Sequence, residues 1–183
     1  MLGPRASASV ISLPDGRVFV IGGFNEHEVL DSVEFCLPTE DAYEVDEIVG
    51  FWKVAAPMPS PRYGQAAVTI DGKIIVAGGV FGCMEKTVRM FTPPNILTST
   101  GQWTTLNSMR QCRYCFSLVA TANKIFAFGS YGHQSNTAEY FAYRADNDRT
   151  DSAILPPAPN QRLLTMGRGN MPFILGRGVL ADR

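Results

Sequence analysis

Short apolar runs, each led by a basic residue and closed by glycine, recur along this chain. They are Arg17-Val18-Phe19-Val20-Ile21-Gly22-Gly23, Lys73-Ile74-Ile75-Val76-Ala77-Gly78-Gly79 and Lys124-Ile125-Phe126-Ala127-Phe128-Gly129-Ser130. None alternates between apolar and polar positions, so each predicts a strand buried on both faces. Ahead of them stand Asp15-Gly16, Asp71-Gly72 and the weaker Ala122-Asn123. Asp-Gly between apolar runs predicts a type I′ hairpin, whose two central residues both need positive φ. The hairpin partners, residues 6–11, 65–70 and 116–120, are rich in small side chains, as strands crowded round a channel would be. Downstream, Ser32-Val33-Glu34-Phe35, Thr87-Val88-Arg89-Met90 and Thr137-Ala138-Glu139-Tyr140 predict a third strand each. Gly and Pro punctuate the chain too often for helix to accumulate.

A second pattern runs in register with the first. Met1-x-x-x-Arg5, Met58-x-x-x-Arg62 and Met109-x-x-x-Arg113 share one spacing, and Trp52 and Trp103 follow the first two third strands. Each unit therefore predicts four short strands: inner strand, apolar strand ending in glycine, third strand, tryptophan strand. A four-stranded unit repeating about every 50 residues is a propeller blade.

The pattern resembles kelch repeats. Kelch blades end their second strand in a double glycine, here Gly22-Gly23 and Gly78-Gly79 with Gly129 in the third unit, and carry tryptophan on the fourth strand, here Trp52 and Trp103. Pro61-Arg62-Tyr63 and Arg113-Tyr114 match as well, so the resemblance covers residues 1 to about 143. The expected fold is all-β: an incomplete kelch β-propeller of about three four-stranded antiparallel blades plus a truncated fourth. Repeats are expected over residues 1–57, 58–108 and 109–157, with a partial fourth over 158–183. The third unit departs from the pattern, with Ser130 for the second glycine and a polar stretch, residues 146–152, where a tryptophan strand should lie. Beyond Arg162, Phe173-Ile174-Leu175-Gly176 reads as a degraded second strand. Met1 occupies the repeat position of Met58 and Met109, which leads to the expectation of a piece of a longer propeller.

Composition agrees and narrows the function. The 183 residues are 45% hydrophobic and 18% charged, which excludes disorder, and 17 Gly, 12 Pro and 11 Phe suit many strands and turns. A net charge of −1 gives no field for capturing nucleic acid or an anionic membrane. No run is apolar for long enough to span a bilayer, and Met1-Leu2-Gly3-Pro4-Arg5 is not a signal peptide, so a cytoplasmic location with reduced thiols is expected.

Candidate chemistry is sparse. Cys112-x-x-Cys115 lacks a second pair for structural zinc, His27 and His133 are too few for a metal enzyme, and the acids of residues 39–50 lack calcium-loop spacing. Gly167-Arg168-Gly169 lacks the Lys-Ser/Thr of a phosphate loop. No metal or other cofactor, and no catalytic residue, is expected. Repeat symmetry places Arg5, Arg62 and Arg113 together at one mouth of the channel. There they either clamp carboxylates of a partner or brace the blade junctions. Tyr63 and Tyr114 stand beside two of them. The loops after the second strands bring Phe24, Asn25, Phe81, Tyr131 and His133 to the same face as candidate partner contacts.

The resemblance implies a protein-binding module, as in the substrate-recognition domain of cullin-dependent ubiquitin-ligase adaptors. In such adaptors mouth arginines bind acidic segments, so an acidic peptide of a ligase substrate is the expected partner. Actin binding, as in cytoskeletal scaffolds, is the alternative. A kelch-type oxidase or sugar epimerase is disfavoured, because no Tyr/His cluster recurs at matching repeat positions.

Overall fold

The computed structural model describes residues 1–38, 51–132, 136–144 and 149–155. Three four-stranded antiparallel sheets follow one another along the chain. The first orders β1 (Ser9–Ser12), β2 (Val18–Ile21), β3 (Val33–Cys36) and β4 (Lys53–Ala55). The second is built from β5 (Ala66–Ile70), β6 (Lys73–Ala77), β9 (Val88–Thr92) and β10 (Gln102–Leu106), with a small hairpin of β7 (Val80–Phe81) and β8 (Cys83–Met84) inserted after β6. The third holds β11 (Ser117–Thr121), β12 (Lys124–Phe128), β13 (Ala138–Arg144) and β14 (Arg149–Leu155). The described residues contain no helix.

Strand periodicity decides which face meets which blade. In β2 and β6, Phe19 and Ile21 of the first blade pack against Ile74 and Val76 of the second, joined by Val33, Phe91 and Met58. The other face of β6, Ile75 and Ala77, packs with Met90 against Ile125, Ala127 and Phe141 of the third blade. One strand thus serves two cores, which is why its sequence shows no alternation. Ile74, Ile75, Val76 and Ala77 are all fully buried. Each of the larger three contributes about 1.5–3 kcal/mol of burial free energy. Trp103 lies on β10, packs at a tilt against Phe91 with ring centroids 4.8 Å apart and donates its indole N–H to Ala56 O at 2.9 Å. It staples the segment leaving the first blade to the outer part of the second. Trp52 falls just before β4, against Phe51.

Two expectations need correction. Asp71-Gly72 makes the I′ turn, with φ of 49° and 70°, but Asp15-Gly16 does not: only Gly16 has positive φ, at 87°. Pro14 holds its own φ near −65° and steers the chain into a turn in which Gly16 N–H bonds Leu13 O at 3.0 Å. The polar stretch of the third unit also proves to be partly strand, since β14 pairs along the whole of β13 from Ala138↔Leu155 to Arg144↔Arg149. A blade's outermost strand needs ladder hydrogen bonds more than apolar side chains, so its sequence carries little signal. Residues 39–50, His133 and the expected fourth unit from 158 onward lie outside the described residues.

Successive inner strands are linked by a hydrogen-bond chain that the sequence did not announce. Cys115 N–H bonds Gly64 O at 2.7 Å, and Gly64 N–H bonds Ser7 O at 2.9 Å. All three occupy one repeat position and all have positive φ: 51° at Ser7, 63° at Gly64 and 49° at Cys115.

Candidate partner-binding face

The arginines turn inward. Arg113 is 0% exposed; its Nε donates to Glu139 Oε1 at 2.9 Å, its Nη1 to Gly129 O at 2.6 Å and Thr137 O at 3.1 Å, and its Nη2 to Gln111 Oε1 at 3.1 Å. The second Glu139 oxygen accepts Arg110 N–H at 2.8 Å. Arg5 repeats the plan: it pairs with Glu34 and donates to Gly22 O and Ser32 O, while Leu2 N–H donates to the other Glu34 oxygen at 2.8 Å. Arg62 is 1% exposed and donates to Gly78 O at 2.9 Å, Thr87 Oγ1 at 2.8 Å and Ser60 Oγ at 2.8 Å. These guanidinium groups tie the end of the second strand to the start of the third, inside the blade. Of the two alternatives for Arg5, Arg62 and Arg113, these contacts favour bracing over a carboxylate clamp, because the side chains are buried and most of their donors meet internal acceptors.

The partners of the brace, Glu34 and Glu139, were missed. Their signal was a single carboxylate at one register position of an otherwise apolar third strand. At that position the second blade has Arg89. Burial, and then the Arg89 charge, pull the Arg62 guanidinium below its ordinary pKa, with Glu85 opposing. The Nε atoms of Arg62 and Arg89 are both buried without a hydrogen-bond partner. Pro59 stands where Leu2 and Arg110 offer an N–H, so this blade has lost both the carboxylate and its second donor. Replacing Arg89→Glu should restore the pair and raise stability by about 1.5–3 kcal/mol, the scale of a charged hydrogen bond. Urea unfolding checks this, and an unchanged or lower midpoint would show that the second blade has adapted to the arginine.

What remains at the mouth is aromatic. Residues following the double glycines bridge to residues following the arginines: Phe24 with Ala6, and Val80 with Tyr63, while Tyr131 N–H bonds Tyr114 O at 2.9 Å. This backbone lattice fixes the side chains at one end of the blades. Phe24 meets Tyr63 edge-to-face at 5.3 Å, across the junction of the first two blades, and Tyr114 meets Tyr131 at 5.3 Å. Tyr131 is 68% exposed, Phe81 49% and Phe24 39%. Burial, together with Tyr131, Cys115 and Tyr63, pushes the Tyr114 phenol above its ordinary pKa, so it remains neutral.

An open depression of about 360 Å³ lies at this end, lined by Phe24, Asn25, Glu26, His27, Glu28, Val29 and Tyr63. The structure thus brings Phe24, Asn25 and Tyr63 together in one concavity. Tyr114 and Tyr131 form a second contact nearby on the third blade, and Phe81 stands on the β7–β8 hairpin. Among the described residues no three His, Cys, Asp or Glu converge on a common point, and all four cysteines are free thiols.

Residues 61–110 match the Kelch motif. Kelch-like protein 28 of Mus musculus is 27% identical over 144 residues, covering 74% of this chain and 22% of that protein. Kelch-like protein 33 of Homo sapiens is 31% identical over 78 residues, covering 43% of this chain and 13% of its own length. The chain therefore spans about a fifth or less of these relatives. Among solved structures, that of YjhT superposes with a TM-score of 0.67 at 16% identity, over 87% of this chain and 54% of that one, a likeness of fold. Three blades on one plan, the motif match spanning most of the second and relatives that are Kelch-like proteins together make this a kelch-repeat chain.

Proposed function

We propose that this chain is a non-enzymatic recognition module that holds a peptide segment of a partner protein on its loop face. The observation that carries this is the row of exposed aromatic side chains, Phe24, Phe81 and Tyr131, at one end of three successive blades, beside the Phe24–Tyr63 depression. Aromatic groups fixed by a rigid scaffold offer large contact area at little entropic cost, the character of interface hot spots. The kelch resemblance extends the proposal to substrate capture in a cullin-dependent ubiquitin-ligase adaptor acting in the cytoplasm.

The test is selection of a random dodecapeptide phage library on the full chain, with fluorescent copies of the selected peptides. The Phe24→Ala/Tyr131→Ala double variant should weaken them tenfold or more while shifting the melting temperature little, since both side chains are exposed. Ile96 and Leu97, exposed on the loop between β9 and β10 at the opposite end, supply the control. Peptides lost by Ile96→Ser/Leu97→Ser but retained by the aromatic variant would move recognition to that end.

A further inference from the structure

Resting on that peptide-binding function, we propose that the Phe24–Tyr63 depression takes an arginine or lysine side chain, so that the partner segment is basic and not acidic. Its walls are Phe24, Val29 and Tyr63, and its rim carries two carboxylates, Glu26 and Glu28. The rim is held by a tight turn. Asn25 Oδ1 accepts the N–H groups of His27 at 2.8 Å and Glu28 at 2.9 Å, Asn25 N–H bonds Glu28 O at 3.0 Å, and Leu30 N–H bonds Gly23 O at 2.8 Å. These bonds use backbone and the Asn25 side chain, which leaves both glutamate side chains exposed. Among the described residues no cation pairs with either of them. The nearest repeat arginines, Arg5 and Arg62, are buried in their own blades. His27 is the only other ionisable group of the lining besides the Tyr63 phenol.

A long cationic side chain suits each part of this geometry. Its methylene stem covers Phe24 and Val29, its charged head lies against the electron-rich faces of Phe24 and Tyr63, and the carboxylates complete its coordination. An acidic side chain would meet Glu26 and Glu28 with no available guanidinium to offset them. Arginine suits the aromatic pair better than lysine, because its planar head stacks.

The same dodecapeptide selection separates this proposal from the one beneath it. Peptides that need Phe24 and Tyr131 should share Arg or Lys at one fixed position, and replacing that residue by Ala should cost about tenfold in affinity. Glu26→Gln/Glu28→Gln should lose a similar factor, and raising salt from about 50 to 500 mM should weaken the parent chain but not this variant. Loop-face peptides without a fixed basic residue, or equal affinity for the Gln variant, would overturn the basic anchor and leave peptide binding standing. If no selected peptide depends on Phe24 and Tyr131, peptide binding at this face falls as well.

Discussion

Glu139→Ala should destabilise the chain by about 3–5 kcal/mol, because it strands a charge that has nowhere to go. Arg113 and Glu139 both have fully buried side chains and meet at 2.9 Å. Without the carboxylate, Arg113 Nε and Arg110 N–H lose their acceptors together, and the buried guanidinium is left without its counter-charge. Glu139→Gln keeps the shape and one acceptor, so it should cost less than alanine. Replacing both partners by apolar residues, Arg113→Met with Glu139→Leu, should cost much less than the two single losses added, since the penalty comes from leaving one charge unmatched. Urea unfolding of these variants decides the matter. A loss below about 1 kcal/mol for Glu139→Ala would place the pair among weakly contributing surface interactions. The outlying value of the set should be Arg89→Glu, because it builds the missing brace where the others break one.

The blade plan was legible in the sequence because several periodic signals agreed: apolar runs closed by glycine, Asp-Gly turns ahead of two of them, and Met-x-x-x-Arg upstream. Strands that serve two cores, such as β6, announce themselves most strongly, since every residue from Ile74 to Ala77 is buried. The outer strand β14 was hidden, because a strand at the edge of a blade is specified by ladder hydrogen bonds with β13 that no residue type reports. The site was legible only in part. Spacing placed Arg5, Arg62 and Arg113 at the same mouth, yet spacing carries no information on which way a side chain turns. Their direction was set by Glu34, Glu139 and the carbonyls of Gly22, Gly78 and Gly129. A carboxylate recurring inside an apolar third strand was the clue, and Arg89 in the middle blade obscured it. Glu26 and Glu28 gave no periodic signal because their loop, although placed like the β7–β8 hairpin of the second blade, differs from it in sequence.

Gly78→Val should cost about 3 kcal/mol or more, from two separable causes. The first is conformation: Gly78 has a φ of +64°, which a β-branched residue adopts only under strain. The second is crowding, for a Cβ there would collide with Arg113 O and come within 2.7 Å of the Phe116 ring. The backbone carbonyl cannot yield cheaply. Arg113 O accepts Gly79 N–H at 2.8 Å, and Gly78 itself bonds Thr87 O through its N–H and receives Arg62 Nη1 on its carbonyl at 2.9 Å. Moving Gly78 therefore disturbs the junction of the second and third blades and the Arg62 brace together. Gly72 isolates the first cause, with a φ of +70° and no atom within 4 Å of an added Cβ. Gly72→Ala should cost about 1 kcal/mol, the conformational penalty alone, whereas Gly78→Ala should cost distinctly more. Equal losses at the two sites in urea titration would mean that the third blade does not close against the second at Gly78, and the register of the blades would have to be redrawn.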